Sequence, residues 1–402
     1  MTESYETTGL DIGVGNGRHA ELLAENGNEV TIWCYEEWLP EAIERQHENP
    51  EFLPGYELPA SVGATNDLEE AISDRDMILS VPPSHVVRDV LSGVAERMPD
   101  GVPIVSATKG IENETTMLVS DILEEILPQR CHPYLAFLSG PSFAVEVADH
   151  QPTAVTVASY NHQLAKRVQE IYRYEKGKSI QNYVDKWGVD DDLREIAAAM
   201  SEATGDDTYR RPMVFMGEYG SGKNFLAKRV QEIYSNDYFR CYTSTDVRGV
   251  EVGGSVKNVI AIAAGAAMGL GLGQNSLAGM MTRGLHEITK LAVRLGADAS
   301  TLRGLAGMGD LVLTCSSETS RNHTVGRKLG QGMSLDEVLE DMNMVAEGVK
   351  TSRSVRELAE DLDLEMPISR EVYRVLHEDK AVETAVEDLM GRDLKPEFRG
   401  YF

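Results

Sequence analysis

Cysteine is scarce in this chain of 402 residues: Cys34, Cys131, Cys241 and Cys315 are the whole complement, and no two stand at short spacing. That argues against a zinc motif or a disulfide framework and fits a reducing compartment. Long apolar runs are lacking too, since no uninterrupted stretch approaches the ~18 residues of a membrane-spanning helix. The opening MTESYETTG has neither the basic start nor the apolar run of a secretory signal. Positive charge is in deficit, with 38 Lys and Arg against 65 Asp and Glu and a formal net charge of −27. A field of that sign opposes nucleic acid and anionic membrane surfaces; it describes a solvated acidic surface or an adaptation to high salt. In such a chain a phosphorylated ligand needs cations gathered locally, so Lys and Arg in polar loops become informative.

What is present is enough apolar content, 42%, for packed domains, and enough length for two of them. The first half alternates strand-like and helix-like patterns. Val30–Trp33, Met77–Val81, Pro103–Ala107, Leu135–Leu138 and Thr153–Ala158 read as strands, and three of them run into polar loops rich in Gly, Ser, Lys or Pro. Strands separated by helices predict a parallel, doubly wound α/β sheet with its ligand at the strand C-terminal ends. From about Val250 the strand signals stop and helical periodicity takes over, as in Lys257–Leu270 and Ser276–Leu295. The expected architecture is a Rossmann-like domain over residues 1–248 followed by an all-α domain over 249–402.

One repeat interrupts this order. LAKRVQEIY occurs at Leu164–Tyr172 and again, identically, at Leu226–Tyr234. Excising 173–234 joins the first copy directly to SNDYFRCYTSTDV, a natural helix-to-strand sequence, so about 173–234 reads as an insertion flanked by a duplicated helix.

Six motifs stand in order along the rest: SATKG (Ser106–Gly110), SGPSFAVEV (Ser139–Val147), GVEVGGSVKNVIAIAAG (Gly249–Gly265), GMGDLVLTC (Gly307–Cys315), SRN (Ser320–Asn322) and MVAEGVKT (Met344–Thr351). Together they make the chain resemble the bacterial-type NAD(P)-dependent glycerol-3-phosphate dehydrogenases. The resemblance implies reduction of dihydroxyacetone phosphate to sn-glycerol 3-phosphate for phospholipid synthesis, NAD or NADP as cofactor, a cytoplasmic location and a homodimer.

The residues themselves suit such chemistry. Ketone reduction needs a hydride donor, a proton donor at the carbonyl oxygen and, here, a cradle for a phosphate. Lys257 follows Gly253-Gly254, where a backbone or ligand can approach closely at the start of a helix. An ammonium held there among apolar neighbours, its pKa lowered, can serve as general acid or base, and the resemblance makes Lys257 the catalytic proton carrier. Lys109 lies at the mouth of a strand, and the resemblance places it against both substrate and cofactor. Gly140 and Ser142 offer an N–H and a hydroxyl to substrate oxygens, with Ala144 beside the cofactor. Asp310 is a lone carboxylate able to orient Lys257 or a substrate hydroxyl, or simply a helix cap. Ser320, Arg321 and Asn322 provide a hydroxyl, a guanidinium fork and an amide for a phosphate; by resemblance Arg321 also serves the cofactor. Val345 and Glu347 match family positions that close over it.

Two stretches depart from the family. The first turn, LDIGVGNGRHAELLAENG (Leu10–Gly27), carries Gly13, Gly15 and Gly17 with Arg18 in the place of a third motif glycine, and is similar to the first motif of S-adenosylmethionine-dependent methyltransferases. Both families use a strand–glycine turn–helix here, so Gly13 and Gly15 are still assigned to the dinucleotide. Glu36 or Glu37, near the end of the second strand, could take the ribose hydroxyls. The insertion carries Gly217–Asn224 (GEYGSGKN), similar to a nucleoside triphosphatase phosphate loop but with Asn224 in place of the magnesium-ligating hydroxyl. The foreign turn and the duplicated junction leave a second reading open: an impaired relic or chimera of the family with a non-functional cofactor loop. A methyltransferase or an ATPase ranks last, each resting on one short motif.

Overall fold

A computed structural model describes residues 8–12, 18–51, 53–159, 225–340, 342 and 346–393. The first part runs β1 (Thr8–Ile12), α1 (Arg18–Glu25), β2 (Glu29–Trp33), α2 (Leu39–Gln46), β3 (Glu48–Asn49), β4 (Leu53–Glu57), β5 (Val62–Thr65), α3 (Leu68–Ile72), β6 (Met77–Ser80) and α4 (Val87–Ser92). It continues through β7 (Ile104–Ser106), α5 (Val119–Ile126), β8 (Leu135–Ser139), α6 (Ala144–Ala148), β9 (Thr153–Ser159), α7 (Phe225–Tyr234) and β10 (Phe239–Ser244).

Eight of these strands form one sheet in the order β10-β9-β8-β7-β6-β1-β2-β5, with β3 and β4 paired apart. Every residue of β6, β7 and β8 is buried, as expected of strands covered on both faces by helices. The strand order reverses between β1 and β6, which opens a crevice at their C-terminal ends. The sheet is Rossmann-like but not wholly parallel: β9 runs antiparallel to β8, and β10 follows β9. The connection explains it. Residues 140–152 hold only the short α6, too little helix to cover a sheet face as a parallel crossover does.

Of the two identical nonapeptides, the second is described. The second copy forms α7 and buries Ala227, Val230, Ile233 and Tyr234 in the core under the sheet, directly ahead of β10. Residues 225–234 therefore belong to the sheet domain, and the expected excursion of 173–234 extends too far by that helix. Because the copies are identical, excision at either junction leaves the same chain, so no sequence pattern could choose between them. The first copy and Gly217–Asn224 lie outside the described residues.

From Val247 onward the described elements are helical, among them α8 (Val247–Gly269), α9 (Gln274–Arg294), α10 (Asp310–Ser316), α11 (Arg321–Gly330), α12 (Leu335–Glu340), α13 (Glu347–Asp361), α14 (Pro367–His377) and α15 (Val382–Met390). Among the described residues α8 alone is long and apolar enough to cross a membrane, but 89% of its apolar window is buried inside the protein. It is the core helix of this domain. It begins well before the expected start near Lys257, because the Asp246 side chain accepts from Gly249 N at 2.9 Å and caps it there.

Two pairs of glycines let α8 and α11 touch main chain to main chain. A Cβ on Gly265 would lie 2.0 Å from His323 O, and one on Gly326 would lie 1.9 Å from Ile262 O. Gly269 and Gly330 repeat the contact one turn on, at 2.2 Å from Arg327 O and 2.3 Å from Ala266 O. Two buried carboxylates brace the helices elsewhere. Glu251 on α8 accepts from Ser120 N and Oγ at the start of α5, and Glu287 on α9 accepts from Ile368 N, Ser369 N and Ser369 Oγ at the start of α14. Burial raises the pKa of both, Glu251 to about 7.

Candidate active site

The loop after β7 carries Lys109 towards the helical domain. Gly110 turns at φ +142°, and a Cβ there would sit 2.2 Å from Ser84 Oγ, so only glycine fits. Ser255 on α8 fastens this turn: its hydroxyl accepts from Gly110 N at 2.9 Å and donates to Gly110 O at 3.1 Å. The loop after β8 makes a second tight turn at Gly140, φ +147°, packed against the main chain of Val155. Its carbonyl accepts from Lys109 Nζ at 3.3 Å and from Ser142 Oγ at 3.2 Å.

Lys257 meets these loops from the interior of α8. Gly253 and Gly254, which the sequence reading put before the helix, lie within it. There they admit Ala306 O and Ser139 Oγ, which a Cβ would meet at 2.4 Å each. Lys257 is 4% exposed and donates to Asp310 Oδ1 and, at 2.9 Å, to Thr314 Oγ1. Asp310 is 1% exposed and opens α10, and its Oδ2 accepts from Lys109 Nζ at 2.9 Å. Thr314 Oγ1 in turn donates to Asp310 O at 2.6 Å. One carboxylate thus holds two ammonium groups, from different domains, side by side.

Burial lowers the Lys257 pKa most, and Lys109 lowers it further while Asp310 opposes; it falls to about 8. An ammonium so placed can gain and lose its proton near neutral pH. Glu347, at the start of α13, is raised to about 7 by burial, against the opposing fields of Arg321, Lys109, Lys257 and Lys350. Arg321 is exposed at the start of α11. Its two neighbours are engaged structurally. Ser320 Oγ caps α11 by accepting from His323 N at 3.3 Å, and Asn322 Oδ1 accepts from Gly348 N at 2.9 Å, tying α11 to α13.

The structure therefore gathers Lys109, Gly140, Ser142, Lys257 and Asp310 through direct contacts, and brings Arg321 and Glu347 within their electrostatic reach. Ala144 opens α6, in the connection that follows β8. Gly13, Gly15 and Val345 lie outside the described residues. Sequence reading missed Thr314 and Ser255. Thr314 was legible in principle, since it stands four residues after Asp310 and so shares its helix face. Ser255 was not, because its partner is a main-chain group distant in sequence.

The strand edge also suits a dinucleotide. Glu36 Oε2 after β2 and Ser80 Oγ at the end of β6 are buried without a hydrogen-bond partner among the described residues. Buried oxygens of this kind need donors, which the hydroxyls and amides of a dinucleotide bring.

Comparison with known proteins gives a consistent result. The family model described as NAD-dependent glycerol-3-phosphate dehydrogenase N-terminus matches residues 14–165, and its C-terminus counterpart matches 246–387. The chain is 45% identical over 376 residues to a glycerol-3-phosphate dehydrogenase [NAD(P)+] of Leptospira biflexa, covering 94% of each. It is 44% identical over 381 residues to that of Myxococcus xanthus, covering 95% of each. A crystal structure of glycerol-3-phosphate dehydrogenase from Coxiella burnetii superposes with a TM-score of 0.76 at 30% identity, covering 96% of this chain and 99% of that one.

Proposed function

Because the chain belongs to the NAD-dependent glycerol-3-phosphate dehydrogenase family, we propose that it interconverts dihydroxyacetone phosphate and sn-glycerol 3-phosphate with NAD(P), using Lys257 as its proton carrier. The observation that carries this reading is the buried Lys257–Asp310–Lys109 cluster, which presents a proton-exchanging ammonium beside a second cation. When bound, the reduced nicotinamide supplies the hydride. Lys257 delivers a proton to the ketone oxygen in reduction and takes it back in oxidation. Asp310 aims Lys257 and, with Thr314, stabilises its charged form. Lys109, Gly140, Ser142, Ser320, Arg321 and Asn322 place the substrate, the phosphate drawn to the cationic end at Arg321. Gly13, Gly15, Lys109, Ala144, Arg321, Val345 and Glu347 hold the dinucleotide. The sheet domain would bind the cofactor and the helical domain the substrate. A role in supplying glycerol phosphate to phospholipid synthesis, a cytoplasmic location and a homodimer complete the reading.

The alternative of an impaired relic finds no support, since the charged cluster is complete and the match to relatives named glycerol-3-phosphate dehydrogenase [NAD(P)+] spans both domains. The test is a spectrophotometric assay of cofactor oxidation with dihydroxyacetone phosphate. Lys257→Ala, shown folded by circular dichroism, should lose on the order of 10²–10⁴-fold in kcat. Full activity in that variant would refute the assignment.

A further inference from the structure

Helix α9 carries Met280, Arg283, Glu287, Lys290 and Arg294 at alternating spacings of three and four, which sets apolar and charged side chains along one face. That face walls a cavity of about 740 Å³, whose other sides come from the end of α8, the turn between α13 and α14, and α15. The volume falls within the roughly 300–1,000 Å³ of small-molecule sites. Ala267, Leu272, Met280, Ile368, Leu389 and Met390 give it an apolar lining, and Met390 is left 82% exposed. None of Lys109, Lys257, Asp310, Arg321 and Glu347 lines it, so it is separate from the cluster described above.

The charges around this cavity are unequally engaged. Glu287 is occupied by Ile368 N, Ser369 N and Ser369 Oγ, and Glu365 pairs with Arg392. Lys290 Nζ donates to Glu365 O at 2.9 Å and Arg294 donates to Leu362 O at 3.3 Å, which fixes both cations on main-chain carbonyls. Arg294 meets no carboxylate among the described residues. A carbonyl takes one of the five guanidinium N–H donors and leaves the charge unneutralised. Arg283 adds a third cation, and Asp363 is the remaining carboxylate of the lining. In a chain of net charge −27, three cations above an apolar floor are a local reversal of sign.

We propose that this cavity binds an amphipathic anion: one carboxylate or phosphate head on a single apolar chain. The head meets Lys290 and Arg294 through charge-assisted hydrogen bonds. The chain lies along Met280, Ile368 and Leu389, which takes apolar surface of both partners out of water.

The test is calorimetric binding to the full chain of octanoate and octyl phosphate, with acetate, inorganic phosphate and 1-octanol as controls that keep only the head or only the chain. At least one octyl anion should bind about tenfold or more tightly than its short counterpart and than 1-octanol, and the tighter of the two distinguishes the head. Lys290→Gln combined with Arg294→Gln should weaken that anion about tenfold and leave 1-octanol unchanged. Gly279 lines the cavity and a Cβ there meets nothing within 4 Å, so Gly279→Leu should fill the space and block anion and alcohol alike. Leucine is the better helix former, so the fold should survive, as circular dichroism reads. Undiminished binding of the anion in both variants overturns the proposal, as does equal binding of anion, alcohol and short acid by the unaltered chain. Displacement of the anion by sn-glycerol 3-phosphate or NADH would put it in the cleft of Lys257 and overturn the proposal too. So would a dimer that becomes a monomer in Gly279→Leu, by sedimentation, when the unaltered chain takes up no octyl anion: a second copy would then cover this face.

Discussion

Lys257 and Asp310, 53 residues apart in the chain, meet as an ion pair in which both side chains are buried. Taking two charges out of water is costly, and an unpaired partner would leave a buried charge uncompensated. Within the pair the carboxylate favours the charged form of the lysine, and burial favours the neutral one.

The pH dependence follows from that balance. Lys257 is ammonium below about 8 and amine above it. Ketone reduction uses the ammonium, so kcat/KM in that direction should fall as pH rises through about 8. Alcohol oxidation uses the amine and should rise over the same interval. Asp310→Asn removes the group that opposes the lowering, so both limbs should move to lower pH. Rate profiles in the two directions, measured for the unaltered chain and Asp310→Asn, check the sign of each shift.

Ser255 offers a different test. Its hydroxyl satisfies both polar groups of the Gly110 peptide, and Ser255→Ala leaves them buried without it. The expected loss of stability is on the order of 1–3 kcal/mol. Because Lys109 rides on the same loop, the Michaelis constant should rise while kcat changes less. Denaturant titration and steady-state kinetics read the two effects separately, and Ser255→Thr, which keeps the hydroxyl, should recover part of both.

Gly326→Ala should be among the most damaging small substitutions in the helical domain. The added methyl would overlap Ile262 O on a neighbouring helix, an atom that no side-chain rotation can move. Overpacking costs about 1–3 kcal/mol where side chains can yield, and the upper end or beyond is expected here. Gly273→Ala, with nothing within 4 Å of its Cβ position, should change the unfolding midpoint far less.

Much of this was legible before the fold was known. Buried strands such as Met77–Val81 and Leu135–Leu138 announce themselves because both their faces are covered and their sequences are continuously apolar. Lys109, Lys257 and Asp310 were singled out chiefly by the family resemblance, with their place between glycines and apolar residues in agreement. The reversal of β9 was not visible, since a strand's pattern is the same in either direction. β5, reading VGAT, is too short and too polar to stand out. The start of α8 was misplaced because Gly253 and Gly254 look like a helix boundary, whereas packing against Ala306 and Ser139 makes them interior residues. That the second copy of LAKRVQEIY belongs to the sheet domain could not be read, as identical sequences carry identical propensities.

The bare contact between α8 and α11 has a consequence for the chemistry as well as for packing. Lys257 rides on one of these helices, and Arg321 and Asn322 begin the other. Where helices meet through side chains, a rotamer change can let them drift; where carbonyl lies on α-carbon, there is no such slack. Under the roles proposed for Lys257 and Arg321, the interval between proton carrier and phosphate grip is therefore fixed by main chain, through four glycines on the two helices.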